Sequence, residues 1–94
     1  MKYRPLPFYL TIKKSEIHGL GLYSLTEIPK DTTIGMTHIE IENDLIRTPL
    51  GGFLNHSDSP NCERKQHNKR WFLKTIKNID KDEELTLEYS MYKP

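Results

Sequence analysis

The sequence predicts a mainly β domain of short strands with little helix, and three observations carry that expectation. The chain contains no Ala and no Val, so Ile, Leu and the aromatics must supply the core. A chain without Ala and rich in Ile, Thr, Tyr and Phe leans toward strand rather than a helical bundle. Several short stretches alternate apolar and polar residues, and no segment sustains a 3.6-residue apolar period. At 94 residues the chain supports one core that buries roughly two-thirds of the unfolded surface, and no second one. Residues 1–94 therefore read as a single domain, with residues 1–7, which carry two prolines, as an extended N-terminal arm.

The elements follow in order. Residues 8–13 (Phe-Tyr-Leu-Thr-Ile-Lys) place Phe8, Leu10 and Ile12 on one face of a half-buried strand. Residues 14–19 form a loop, and Gly21 to Leu25 form a second short strand. Thr33 to Ile41 reads as strand, with Ile39 and Ile41 sharing a face. Residues 43–52 hold Asn43, Pro49 and two glycines, so at most a helical turn is expected there. Arg70 to Ile76 is the strongest strand signal. Leu85 to Tyr89 is the last strand, with Leu85, Leu87 and Tyr89 on one side. One internal echo is visible: residues 25–34 and 76–85 both read apolar-x-x-Ile-x-Lys-Asp-x-x-apolar. Such a segment suits a strand that turns tightly into another strand. Asp31 and Asp82 fall where a left-handed backbone is tolerated, because a short polar side chain bonds locally.

Charge and composition exclude several function classes. The formal net charge is +1, whereas a dedicated nucleic-acid binder shows a clear basic excess because phosphate neutralisation dominates its affinity. No apolar run approaches the roughly 20 residues needed to span a bilayer. Met1-Lys2-Tyr3-Arg4-Pro5 leads into no long apolar stretch, so no secretory signal is expected. Cys62 is the single cysteine; it forbids an internal disulfide and fits a reducing compartment. The expectation is an intracellular protein, cytoplasmic or nuclear, that contacts neither nucleic acid nor membrane directly.

Three clusters carry the groups that could do chemistry. His18-Gly19-Leu20-Gly21 fails as a dinucleotide fingerprint, because Ser24 stands where the third glycine belongs and strand, not helix, follows. Two glycines still let backbone approach a ligand closely. Residues 51–63 gather amide, imidazole, hydroxyl and thiol groups in Asn55-His56-Ser57 and Pro60-Asn61-Cys62. A zinc site from His56, Cys62 and His67 lacks paired Cys-x-x-Cys spacing, so no metal is expected. Nothing local marks Cys62 as an activated thiol, and adjacent Ser57 and His56 point apart. The third cluster is Glu83-Glu84-Leu85-Thr86-Leu87-Glu88-Tyr89, followed by Met91 and Tyr92.

Taken together, these three clusters resemble the SET domain of protein lysine methyltransferases, in order and across most of residues 10–90. Gly19-Leu20-Gly21 matches its glycine motif, Asn55-His56-Ser57 with Pro60-Asn61-Cys62 its asparagine–histidine motif, and Glu83-Glu84-Leu85-Thr86 with Tyr89 its closing motif. The resemblance implies a fold of small curved sheets, with a knot-like crossing of the C-terminal segment that brings Asn55 and His56 beside Tyr89. It implies S-adenosylmethionine as cofactor, met by backbone groups of His18, Gly19 and Leu20. Asn55 and His56 would hold its amino-acid and adenine parts; Tyr92 or Met91, by proximity alone, could stack on adenine in place of the family's tail. Tyr89 would be the catalytic tyrosine, and Phe53 and Leu87 would line the substrate channel. The implied activity is methyl transfer to the ε-amine of a lysine in a protein substrate. Leu87 stands where the family commonly carries Phe or Tyr, which implies di- or trimethyl-lysine as product.

The sequence departs from that pattern in two places. Only residues 35–52 are available where the family usually carries a longer insert that builds part of the peptide groove. Five residues follow Tyr89, with no cysteine among them to bind zinc with Cys62, so Cys62 is expected as a small buried apolar residue. A subunit with such short walls implies a homodimer in which a second copy completes core and groove. The competing expectation is a catalytically weak or inactive SET-fold module that acts through protein contacts.

Overall fold

The computed structural model describes residues 6–87 of the chain. Of the N-terminal arm only Leu6 and Pro7 fall within that range; Tyr89 and Tyr92 lie outside it. The described residues form small sheets with one helical turn, as the composition predicts. Strands β1 (Leu10–Lys14) and β2 (Leu20–Ser24) make an antiparallel pair. Strands β3 (Thr33–Ile41), β4 (Asp44–Arg47), β6 (Cys62–His67) and β7 (Arg70–Thr75) form an antiparallel sheet in the order β4-β3-β7-β6. Strands β5 (Asn55–His56) and β8 (Thr86–Leu87) pair in parallel. A single turn of helix, α1 (Pro49–Gly52), precedes β5. Thr48 caps it by accepting from the Gly51 N–H at 3.3 Å, and Pro49 sits in its first turn, where a missing N–H costs nothing.

Strand β3 has the bounds that the sequence predicts, and β7 stops one residue short of them. Strands β4 and β6 come as additions. β4 is exposed along its whole length, and β6 after Cys62 is Glu-Arg-Lys-Gln-His, so neither carries the alternation of a half-buried strand. Both are made by tight turns instead. Glu42 (φ 51°) and Asn43 (φ 71°) reverse the chain between β3 and β4, and Asn68 (φ 58°) lies in the turn between β6 and β7. Phe8 is a correction. It is 79% exposed, whereas Leu10 is buried. The Leu10 N–H donates to the Pro7 carbonyl at 3.0 Å, so the chain turns before β1 begins and the alternation never reaches Phe8.

The echoed segments pair with each other. Ile28 and Ile79 exchange backbone hydrogen bonds at 2.8 Å each and are both buried. The Asp31 N–H donates to Thr75 O while the Asp82 N–H donates to Ser24 O, and both aspartates have φ 67°. Equivalent residues of the repeat thus make equivalent bonds across a local twofold. The core grows around this junction from Leu22, Ile28, Ile34, Leu73, Ile79, Leu85 and Leu87, with Leu10, Leu50, Leu54 and Cys62 closing it. Burying each such side chain stabilises the fold by about 1.5–3 kcal/mol.

Two buried polar groups decide how this core responds to change. Asn61, 5% exposed, uses its side-chain amide as a strand would: Nδ2 donates to Glu84 O at 2.7 Å and Oδ1 accepts from the Thr86 N–H at 2.8 Å. His38 is buried on β3 opposite Arg47, with the Arg64 guanidinium 3.3 Å from Nδ1. Burial first, and then the charges of Arg64 and Arg47, push its pKa below the ordinary 6.5.

Asn61→Ala leaves the buried Thr86 N–H and the part-buried Glu84 carbonyl without these bonds, and we expect it to cost about 3 kcal/mol in urea unfolding. His38 binds its proton more readily unfolded than folded. Its contribution to stability is therefore complete above pH 6.5 and is lost as pH falls below that value. The urea midpoint should fall between pH 7.5 and 5.5, and fall less in His38→Gln.

Candidate functional site

The connection from β1 to β2 is shaped by Ser15. Its N–H donates to Gly19 O at 2.7 Å, and its hydroxyl oxygen accepts from the Ile17 N–H at 2.9 Å, a local turn typical of serine. Gly19 completes the turn with φ +50°, and a Cβ there would meet nothing within 4 Å. His18, Gly19 and Leu20 are exposed. The backbone of these residues is therefore a rim open on its outer side.

Asn55 reaches this rim from β5. Its Nδ2 donates to His18 O at 3.1 Å, to Leu20 O at 3.3 Å and to the Glu84 carboxylate at 2.8 Å. Glu84 precedes β8, and two more donors hold it. The Ser15 hydroxyl lies 2.8 and 2.9 Å from its two oxygens, and the Tyr23 hydroxyl lies 3.3 Å from Oε1. Loss of solvent and the Glu84 charge raise the Tyr23 pKa above 10.0, so the phenol stays a neutral donor. The Leu85 N–H donates to Leu22 O at 2.8 Å and fixes the same segment against β2. Gly21 is glycine for a steric reason: a Cβ there would stand 2.2 Å from the Glu84 carboxylate oxygen.

The three sequence clusters thus meet through their side chains and backbone at one place. Not every candidate converges there. His56 alternates with Asn55 along β5, so its ring faces the other way, exposed and 3.1 Å from Asp58. Phe53 is partly buried and packs against the core. Leu87 is 1% exposed, and its carbonyl accepts from the Ser57 N–H at 2.9 Å. Cys62 is buried; desolvation, then Glu83, push its thiol up to about 12. It stays protonated at neutral pH, which removes it as a nucleophile. Among the described residues no group of three or more His, Cys, Asp or Glu could hold a metal. No described helix is long and apolar enough to cross a membrane. A cavity of about 730 Å³ opens between β3 and the β6–β7 turn, lined in part by Glu40, His67 and Arg70; of the candidate residues it touches only His67, far in sequence from the rim.

Sequence reasoning missed Glu84, Ser15 and Tyr23 as site residues. Ser15 and Glu84 are 69 positions apart, and no local pattern announces a contact at that range. The available signal was that Glu84 lies within the closing motif Glu83-Glu84-Leu85-Thr86, a charged residue directly before the apolar Leu85.

Residues 44–90, half of the chain, match the family model described as SET domain. A crystal structure of a Plasmodium falciparum protein classed as a histone methyltransferase superposes with a TM-score of 0.74 at 27% identity, covering 90% of this chain and 97% of that one. The methyltransferase domain of human PR domain-containing protein 2 gives 0.72 at 18% identity, over 87% and 77%. A humanized mutant of the Chaetomium thermophilum Polycomb Repressive Complex 2 gives 0.72 at 19%, over 90% of this chain and 15% of that one. The last two likenesses show the fold alone. No curated protein matches in sequence.

The two glycines of the rim should respond differently to alanine. Gly21→Ala forces the Glu84 carboxylate aside and should cost up to about 3 kcal/mol, as overpacking does. Gly19→Ala meets only backbone strain and should cost about 1 kcal/mol. Thermal or urea unfolding of the two variants measures the difference.

Proposed function

This chain belongs to the SET-domain family, and from that membership we propose that it transfers methyl groups from S-adenosylmethionine to the ε-amine of a lysine in a protein substrate. The observation that carries the reading is the Asn55 amide, which grips the His18–Leu20 rim and meets the closing motif through Glu84. The residues suit the cofactor chemically. The rim is open above Gly19, and a carboxylate lies beneath it, which favours a ligand whose amino-acid end carries an ammonium and whose sulfur is a cation. When bound, S-adenosylmethionine supplies an electrophilic methyl group.

The chain's own residues supply binding and orientation. In this reading His18, Gly19 and Leu20 meet the cofactor through backbone groups. Asn55 holds its amino-acid part, Tyr92 serves the adenine, and His56, whose ring is turned to Asp58, serves it through its β5 backbone. The acceptor lysine must be neutral to react. With a pKa of about 10.4, only ~0.04% of a free lysine is neutral at pH 7, an apparent cost of about 4.6 kcal/mol. A narrow apolar channel beside a cation recovers part of that by disfavouring the ammonium. The Tyr89 hydroxyl orients the amine for in-line attack, and Leu87, two residues earlier, sets the room left for methyl groups.

Tyr89→Phe should keep binding of S-adenosylhomocysteine in calorimetry and lose about a hundredfold or more in methyl transfer; equal turnover would overturn the assignment. Asn55→Ala should abolish micromolar cofactor binding. Mass spectra of a methylated substrate should show di- or trimethyl-lysine. A wild-type chain that binds neither cofactor nor product would instead act as a non-enzymatic SET-fold module.

A further inference from the structure

Resting on the reading above, we infer that Glu84 is a positioning residue for the cofactor site: it holds the Asn55 amide with its nitrogen against the protein and its carbonyl oxygen toward the ligand. An amide has one donor end and one acceptor end. The Nδ2 end of Asn55 faces three acceptors, His18 O, Leu20 O and the Glu84 carboxylate, at 2.8 to 3.3 Å. A flipped amide would set its oxygen against all three. Two of the acceptors are neutral carbonyls. The carboxylate makes the shortest bond of the three, and a charge-assisted bond is roughly twice as strong as a neutral one. It therefore carries most of the preference for one orientation, and Oδ1 is left on the opposite arm of the half-exposed side chain.

The way Glu84 itself is held supports this role. Its donors are the hydroxyls of Ser15 and Tyr23 and the amide of Asn55. None of the ion pairs among the described residues includes it. A carboxylate fixed by neutral donors keeps its charge available to a cationic ligand. The group that an outward amide oxygen and an uncompensated carboxylate together select is an ammonium, the α-amine of an amino-acid moiety. Gly21 maintains the arrangement by leaving the space that the carboxylate occupies.

The test compares two ligands on the full chain by calorimetry or NMR titration. S-adenosylhomocysteine carries the amino-acid end, and 5′-methylthioadenosine lacks it. Glu84→Gln should weaken the first about tenfold or more and leave the second within about twofold. If both affinities fall together, Glu84 acts only as structural support and the inference is overturned. It is overturned equally if neither changes. A wild-type chain that binds neither ligand would overturn the proposed function and this inference with it, whereas wild-type binding with an indifferent Glu84→Gln overturns this inference alone. A measurement on the unmutated chain needs no variant to fold: the two Asn55 side-chain amide protons should be resolved and protected from solvent exchange. A rapidly exchanging pair would overturn the proposal.

Discussion

The site depends on how the segment before β8 is held, and one buried amide does most of the holding. Asn61 pairs its side chain with Glu84 O and Thr86 N–H as a neighbouring strand would. Its own N–H reaches the Thr86 hydroxyl. Among the described residues β8 pairs with β5 at Thr86 and Leu87. The Asn61 amide adds two bonds that bracket Leu85, so that it enters the core while Glu84 turns to Asn55. Because the Thr86 N–H and the Asn61 amide are buried, replacing the amide leaves that N–H with no compensating water. The position of the carboxylate beneath the rim is therefore a consequence of an asparagine more than twenty residues upstream.

The same motif divides its labour between two asparagines. Asn55 is half exposed and faces the rim; Asn61 is buried and faces the closing segment. Between them the chain runs through Ser57 to Pro60, with the Ser57 N–H tied to Leu87 O. Bracing of the closing segment and contact with the His18–Leu20 rim, which a sequence motif merges, occupy different residues in space. His56 lies between them with its ring directed away, which leaves its backbone in β5 as the part nearest the site.

Much of the fold was legible in the sequence. Runs of strand-forming residues located β3 and β7, and the echoed aspartates were placed in a left-handed backbone by the chemistry of a short polar side chain; both have φ 67°. β4 and β6 were not legible, because their residues are nearly all polar or exposed and their existence rests on the turns at Glu42-Asn43 and Asn68. The site was legible as three motifs but not as a network. Asn55 and the His18–Leu20 rim could be named, whereas Glu84, Ser15 and Tyr23 join them only through tertiary contacts. Leu87 is seated in the core, and that packing is as strong a demand on the residue as any lining role.

The pairing of the echoed turns also bears on how the molecule comes into being. Ile28 finds its backbone partner only when Ile79 is present, and Ser15 waits for Glu84. Most of the chain must therefore have left the ribosome before the first hairpin, β1–β2, can be roofed. Loop closure over such distances slows the search for the native state. Until it completes, the short hairpins near the N-terminus are exposed to proteases and chaperones, and the last dozen described residues act as the latch that ends that interval.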